Sequence, residues 1–277
     1  MARKGDVNRI LPFSFVDGPG NRSVVFLQGC NLHCAYCHNP ETVGRCNGCG
    51  DCAGRCPAGA LRLAAGQVEW NAGRCVACDT CLQCCGRSAS PRTERLTASQ
   101  VMERLRAALP CISGITVSGG ECTLQQEFVA ELIARAHALD KTVFLDTNGM
   151  LDFRLMPALA RTMDRAMLDV KAADPNEHRM LTGEGNETVL KNLEYLMAIE
   201  KLYEIRTVIV PGLLDNGRTV ETASKMIAGG SVRYKLIRFR AWGVRGPLAG
   251  APPPDDSLML ELADAARRNG VKDIEIV

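Results

Sequence analysis

Apolar and polar residues follow two alternating rhythms along most of the chain. Short apolar runs predict strands at residues 22–29, 114–117, 142–145, 166–170, 204–210, 232–239 and 273–277. Helical periodicity between these runs predicts helices at residues 97–109, 124–139, 155–162, 187–199, 218–228 and 257–269. Such alternation is typical of parallel strands joined by right-handed crossovers. The chain has room for about six such units, which predicts an α/β fold with a partial, open βα barrel; a doubly wound sheet is the alternative.

The regular pattern is interrupted at residues 44–91, where Cys, Gly and Pro replace any helical or strand periodicity. This composition predicts an inserted module, called the insert below, whose fold depends on bound ligands. The barrel domain then comprises residues 1–43 and 92–277. Ligands of the barrel are expected at the carboxyl ends of its strands.

Charge and cysteine content narrow the class of protein. The 33 basic and 31 acidic side chains give a net charge of +2, too little to gather nucleic acid or an anionic membrane. The sequence shows neither a membrane span nor an export signal, which predicts a soluble, cytoplasmic protein. Twelve of the 14 cysteines lie between Cys30 and Cys85, at spacings that favour metal ligation in a reducing compartment over disulfides.

The first cysteine group directly follows the predicted strand at residues 22–29. Cys30, Cys34 and Cys37 are spaced so that one short loop can hold three corners of an iron-sulfur cluster and leave the fourth iron open. A structural zinc site is the alternative, with His33 or His38 as the fourth ligand.

Several motifs around these cysteines resemble a known enzyme family. The segment CNLHCAYC at residues 30–37 resembles the radical S-adenosylmethionine superfamily, a group of partial barrels, and SGGE at 118–121 resembles its GGE segment. The segments VDGPGNR at 16–22, FLQGC at 26–30 and CHNP at 37–40 resemble glycyl radical enzyme activating enzymes, which are pyruvate formate-lyase activating enzyme-like. The insert and Cys122 resemble the YjjW-type branch.

This resemblance implies an activity and a set of site residues. A [4Fe–4S] cluster on Cys30, Cys34 and Cys37 would reductively cleave S-adenosylmethionine to a 5′-deoxyadenosyl radical, which abstracts a hydrogen from a backbone glycine of a partner enzyme. The residues that would bind S-adenosylmethionine or a monovalent cation beside its carboxylate are Tyr36, Gly119, Gly120, Glu121, Asp146, Thr147, Met167, Asp169, Lys171 and Arg206. Salt bridges on a barrel rim are the alternative for the charged members. Asp17, Gly18 and Arg22 would lie near the partner's glycine loop, and Arg240 replaces a histidine of several relatives.

The insert repeats the cysteine spacing of bacterial two-cluster ferredoxins. In that pattern the fourth cysteine of each run crosses to the other cluster. One [4Fe–4S] cluster is therefore predicted on Cys46, Cys49, Cys52 and Cys85, and another on Cys75, Cys78, Cys81 and Cys56, which brings the chain to three clusters. Gly86 replaces the usual proline, and Cys84 is a spare thiol. Cys111 and Cys122 fit no cluster spacing.

The expected partners are a glycyl radical enzyme as protein substrate and a reductant of the flavodoxin or ferredoxin type, with the chain itself a monomer. The insert could relay electrons, or it could brace a lid and dock a partner. Two other functions remain open: a radical enzyme acting on a small molecule or peptide, and a non-catalytic electron-transfer protein, which would need only the insert.

Overall fold

The predicted alternation of strands and helices is confirmed in the computed structural model, which describes residues 2–277. The strands are β1 (Lys4–Ser14), β2 (Arg22–Leu27), β3 (Leu61–Ala64), β4 (Gln67–Trp70), β5 (Glu94–Thr97), β6 (Gly114–Gly119), β7 (Thr142–Thr147), β8 (Arg165–Asp169), β9 (Leu202–Ile209), β10 (Arg233–Arg238) and β11 (Ile274–Ile276). The helices are α1 (Thr80–Gln83), α2 (Ala98–Leu105), α3 (Gln126–His137), α4 (Pro157–Thr162), α5 (Pro175–Thr182), α6 (Glu187–Ala198), α7 (Asn216–Ile227) and α8 (Asp256–Arg268).

Nine strands form one sheet in the order β11-β10-β9-β8-β7-β6-β2-β1-β5. The seven strands from β11 to β2 are parallel, and β1 is antiparallel to both of its neighbours. Strands β5 and β11 are its two edges, so the sheet is open, as the partial-barrel prediction requires. Strands β1 and β5 and helix α5 were not predicted from the sequence, nor were β3, β4 and α1 of the insert. The predicted end of the first barrel strand lies two residues beyond the end of β2.

The two faces of the sheet differ in chemistry. Side chains alternate between faces along each strand. On β6, Ile115 and Val117 join the main apolar core together with helix residues such as Val129 and Leu193. Thr116 and Ser118 therefore point to the opposite face, where the polar residues of the site are found.

Helix α2 begins at the predicted capping box. The Thr97 N–H donates to Gln100 Oε1 at 2.8 Å, and the Gln100 N–H donates to Thr97 Oγ1 at 3.2 Å. Within residues 2–277 no helix is long and apolar enough to cross a membrane.

The insert is built from a hairpin of β3 and β4, the short helix α1 and a small core around Cys52, Leu61 and Cys81. Two short hydrogen bonds are among the contacts that attach it to the barrel. Gln28 Nε2, at the end of β2, donates to the carbonyl of Gly44 at 2.6 Å, and Arg245 Nη2 donates to the carbonyl of Leu82 at 2.6 Å. The insert therefore lies beside the end of β2, where the first cysteine group begins.

Candidate active site

The cysteine loop, residues 29–39, is held at the carboxyl end of β2 by backbone hydrogen bonds. The Cys30 N–H donates to the carbonyl of Val43 at 2.9 Å. The His33 N–H donates to the carbonyl of Thr182 at 3.0 Å, and the Ala35 N–H donates to that of Leu181 at 2.8 Å. The C-terminal turn of α5, a helix that sequence analysis missed, is thus a direct support of this loop.

The three thiols of the loop are partly buried. Burial raises the pKa of Cys30 to about 12 and that of Cys37 to about 11, and it also raises the pKa of Cys34. Thiolates in such a place need a compensating positive charge, and iron supplies one. Three soft ligands on one loop fit a cluster whose remaining iron is free for a small molecule.

The two histidines proposed for the zinc alternative are both exposed. His38 Nε2 lies 2.9 Å from the carbonyl oxygen of Arg240. Among residues 2–277, no group of three or more His, Cys, Asp and Glu side chains has the geometry of a site for a single metal ion. All 14 cysteines are free thiols.

Gly119 and Gly120 bring the end of β6 against the cysteine loop. Gly119 has φ of +123°, and a Cβ at either position would lie 2.2 Å from backbone atoms, those of Leu27 for Gly119 and of Gly29 for Gly120. The Gly120 N–H donates to Leu27 O at 2.9 Å, and the Glu121 N–H donates to Gly29 O at 2.8 Å. No other residue type fits this close approach without moving the loop.

The Glu121 carboxylate is fully buried and is engaged within the protein. Its Oε1 accepts from Thr123 N at 3.0 Å, Thr123 Oγ1 at 2.6 Å and Thr147 Oγ1 at 2.8 Å. Its Oε2 accepts from the backbone N–H of Asn148 at 2.7 Å. Two residues predicted to bind the cofactor, Glu121 and Thr147, therefore contact each other and join the ends of β6 and β7.

Asn148 is a site residue that sequence analysis missed. Its Nδ2 donates to Asn31 Oδ1 at 2.9 Å and lies 3.7 Å from Cys30 Sγ. Its position directly after Asp146 and Thr147, at the end of a predicted barrel strand, was the available signal.

Asp146, Met167 and Arg206 converge on the polar face of the sheet. Arg206 Nη1 donates to Asp146 Oδ1 at 3.0 Å, and Arg206 Nη2 contacts Met167 Sδ at 2.9 Å. Ser118 Oγ donates to Asp146 Oδ2 at 2.8 Å. Burial raises the pKa of Asp146 to about 6, although Arg206 acts in the opposite direction.

A second charged pair lies at the carboxyl end of β8, two residues and more beyond Met167. Lys171 Nζ donates to Asp169 Oδ2 at 2.7 Å and lies 5.6 Å from the centre of the Tyr36 ring. Burial is the largest single influence on Lys171 and opposes its charge, but Asp169 together with Tyr36 and Cys34 outweighs it and raises the lysine pKa. The Tyr36 hydroxyl is buried and has no hydrogen-bond partner within residues 2–277. Four of the predicted cofactor residues therefore form two ion pairs beside the cysteine loop, Arg206 with Asp146 and Lys171 with Asp169.

Arg22 lies inside the sheet, where it is 1% exposed. Its Nε donates to Thr116 Oγ1 at 2.9 Å, and Thr116 Oγ1 in turn donates to the carbonyl of Asp17 at 2.6 Å. The guanidinium also lies over the Phe144 ring, 4.2 Å from its centre. Arg22 thus supports the segment containing Asp17 and Gly18 from within.

The eight predicted ligands of the insert line two cavities. One is lined by Cys46, Cys49, Cys52 and Cys85, and the other by Cys56, Cys75, Cys78 and Cys81. Cys84 lines neither of these cavities. Thus Cys85 shares a cavity with the first run of cysteines, and Cys56 shares one with the second run.

His178 is a buried base in α5, the helix that supports the cysteine loop. It is fully buried in α5, with Nδ1 2.6 Å from the carbonyl oxygen of Glu184, and burial lowers its pKa. A base whose pKa is lowered by folding contributes stability that is fully present above its ordinary pKa of about 6.5. This stability is lost as the pH falls from that value through the lowered pKa of the folded state. The free energy of unfolding should therefore fall more steeply below pH ~6.5 in the wild type than in His178→Gln. Denaturant titrations at several pH values measure this difference, and parallel curves would contradict it.

Both the sequence and the fold are similar to those of known proteins. Residues 24–223 match the model of the Radical SAM superfamily. The chain is 31% identical to the indoleacetate decarboxylase activating enzyme of Tractidigestivibacter scatoligenes, over 95% of this chain and 94% of that protein. It is 32% identical to the pyruvate formate-lyase-activating enzyme of Streptococcus mutans, over 90% of this chain and 86% of that protein. The crystal structure of QueE from Escherichia coli has a similar fold, with a TM-score of 0.54 at 13% identity, over 99% of this chain and 94% of that one.

The chain therefore belongs to the radical S-adenosylmethionine superfamily and, within it, to the activating enzymes of glycyl radical enzymes. These are oxidoreductases, so the predictions of family, fold class and enzyme class are confirmed.

Proposed function

We propose that this enzyme reductively cleaves S-adenosylmethionine at the cysteine loop and abstracts a hydrogen from a backbone glycine of a partner glycyl radical enzyme. The observation that carries the proposal is the position of Cys30, Cys34 and Cys37, which lie at the carboxyl end of β2 beside Gly119–Gly120 and the two ion pairs. A [4Fe–4S] cluster on the three thiolates would supply the electron for this cleavage. The protein's part is to bind and orient the ligand and to exclude water.

The methionine end of S-adenosylmethionine would bind between the two ion pairs. Arg206 and Lys171 are cations suited to its carboxylate, and Asp146 and Asp169 suit its amino group or sulfonium, with or without a monovalent cation. Met167 lies between the pairs, and Tyr36 packs under Lys171. Gly119 and Gly120 leave backbone groups accessible to the ligand, because neither carries a side chain. Glu121 and Thr147 would act indirectly, by holding this backbone in place.

The insert would hold two further [4Fe–4S] clusters, on Cys46, Cys49, Cys52 and Cys85 and on Cys75, Cys78, Cys81 and Cys56. The grouping of these cysteines around two separate cavities supports this assignment over sequential pairing within each run. The contacts from Gln28 and Arg245 support a bracing role beside the cysteine loop. A flavodoxin or ferredoxin-type protein would supply electrons to the monomeric enzyme in the cytoplasm, where thiols stay reduced.

The test is anaerobic reconstitution with iron and sulfide, followed by reduction and addition of S-adenosylmethionine and a candidate glycyl radical enzyme. We expect 5′-deoxyadenosine together with a glycine-centred doublet in the electron paramagnetic resonance spectrum of the partner. A partner variant in which the acceptor glycine is alanine is the matched control and should give no such doublet. Cleavage without a doublet for any candidate partner would contradict the protein-substrate part of the proposal. If the reduced enzyme with all its clusters did not cleave S-adenosylmethionine, the whole proposal would be contradicted.

A further inference from the structure

Arg206 is held from both sides on the polar face of the sheet. Beyond its contacts with Asp146 and Met167, its Nε donates to Glu204 Oε1 at 2.6 Å. Glu204 is 1% exposed and belongs to the same strand, two residues earlier, so both side chains share one face. Because a buried carboxylate is costly without a partner, Glu204 and Arg206 stabilise each other in one geometry.

Lys235 on β10 extends this contact. Its Nζ lies 3.4 Å from Glu204 Oε2 and 3.3 Å from Glu275 Oε2, and it donates to the carbonyl of Val16 at 3.4 Å. Lys235 is 6% exposed. It therefore connects the ion pair on β9 with the segment just before Asp17, next to which the partner's glycine loop is expected.

The register of the strands places these groups in two rows across the sheet. Asp146, Met167 and Glu204 are neighbours in one row, and Asp169, Arg206 and Lys235 are neighbours in the next. The Nη2 of Arg206 is directed at a thioether, a weak hydrogen-bond acceptor. A ligand carboxylate is a far stronger acceptor and would replace that contact, provided that the guanidinium keeps its present orientation.

We propose that Glu204 and Lys235 are positioning residues for S-adenosylmethionine. Glu204 fixes the Nε side of Arg206, so that the opposite edge is presented to Asp146 and to the carboxylate of the ligand. Lys235 balances the charge of Glu204 and keeps its second oxygen turned away from Arg206. The inference rests on the proposed function, and it assigns a role to two residues that do not contact the ligand.

The test compares Glu204→Gln, Glu204→Leu, Lys235→Met and the double variant Glu204→Leu/Lys235→Met in the reconstituted enzyme. The dissociation constant for S-adenosylmethionine is measured by anaerobic equilibrium dialysis, and KM and kcat are measured from 5′-deoxyadenosine formation. Thermal unfolding of each variant is followed in parallel.

We expect Glu204→Leu to raise both the dissociation constant and KM about tenfold with little change in kcat, as loss of uniform binding requires. Glu204→Gln keeps an acceptor for Arg206 Nε and should give a smaller rise. The double variant should be no worse than Glu204→Leu, because Lys235 acts through Glu204. Glu221→Gln is the control, since Glu221 pairs only with Lys225 on the exposed side of α7.

Lower thermal stability with an unchanged dissociation constant and KM would overturn the inference and leave Glu204 with a structural role only. Additive effects of Glu204→Leu and Lys235→Met would overturn the part that concerns Lys235. A wild-type enzyme that binds S-adenosylmethionine without cleaving it would contradict the proposed function, while the dissociation constants would still decide the role of Glu204. A wild-type enzyme that does not bind it would contradict both.

Discussion

Cys34→Ser is expected to abolish the reductive cleavage of S-adenosylmethionine while leaving the insert intact. The cysteine loop supplies three thiolates, and a serine hydroxyl is a much weaker ligand than the thiolate it would replace. Neither histidine of the loop is placed to compensate, because both are exposed and His38 is directed at the carbonyl of Arg240. The cluster would therefore have too few strong ligands. The iron content should fall from about twelve to about eight atoms per chain, since the two four-iron clusters proposed for the insert would remain. Iron analysis and a 5′-deoxyadenosine assay on the same anaerobic preparation measure both effects.

Cys84→Ser is the matched control for this experiment. Cys84 lies among the insert cysteines but lines neither cavity, so its replacement should leave both the iron content and the cleavage reaction unchanged. If Cys34→Ser retained full iron and activity, the cysteine loop would not be the catalytic site. If Cys84→Ser lost about four iron atoms, the ligand assignment in the insert would have to be changed.

The barrel and its cysteine loop could be predicted because their signals are local. Strand β2 contains the continuous apolar run VVFL, and the spacing of Cys30, Cys34 and Cys37 is readable without knowledge of the fold. Helix α5 was missed because only two of its eight residues, Met180 and Leu181, are apolar, so it shows no apolar periodicity. Its boundaries depend on a cap by Asp174, whose Oδ1 accepts from Asn176 N at 2.8 Å, and on Gly183 with φ of +94°.

The network behind Arg206 could not be predicted, because it depends on strand register. Glu204 and Lys235 are charged residues inside two predicted buried strands, which is unusual, but sequence alone does not show that they face each other. The register between β9 and β10 aligns Arg206 with Lys235 and brings the lysine within reach of Glu204. Two charges of opposite sign in successive predicted strands are the signal that the sequence carries, and it does not specify which residues pair.

Glu121 belongs to the GGE segment, which is predicted to bind S-adenosylmethionine. Its side chain points away from solvent and accepts four hydrogen bonds from residues of the protein. Its backbone N–H bonds to Gly29 O, directly before Cys30. The carboxylate therefore holds Glu121 in place, and the backbone of Glu121 in turn holds the start of the cysteine loop.

Glu121→Leu should accordingly lower the free energy of unfolding strongly and loosen the attachment of the cysteine loop to β6. It leaves the buried donors of Thr123, Thr147 and Asn148 without an acceptor, and each such group costs about 1–3 kcal/mol, so the free energy of unfolding should fall by at least about 3 kcal/mol. Denaturant unfolding under anaerobic conditions measures this change. Glu121→Gln should lose less, because its amide oxygen can still accept from Thr123 and Thr147 while its amide nitrogen cannot accept from Asn148.

Glu127→Gln is the control for the same chemical change at the surface. Glu127 forms an exposed ion pair with Arg3, and such pairs contribute little to stability, so this variant should unfold like the wild type. Because Asn148 also lies next to Cys30, Glu121→Gln should in addition lose iron from the cysteine loop faster than Glu127→Gln when a chelator is present. Equal stability and equal iron loss in the two variants would show that Glu121 does not support the loop, and its carboxylate would then have to be assigned to the ligand.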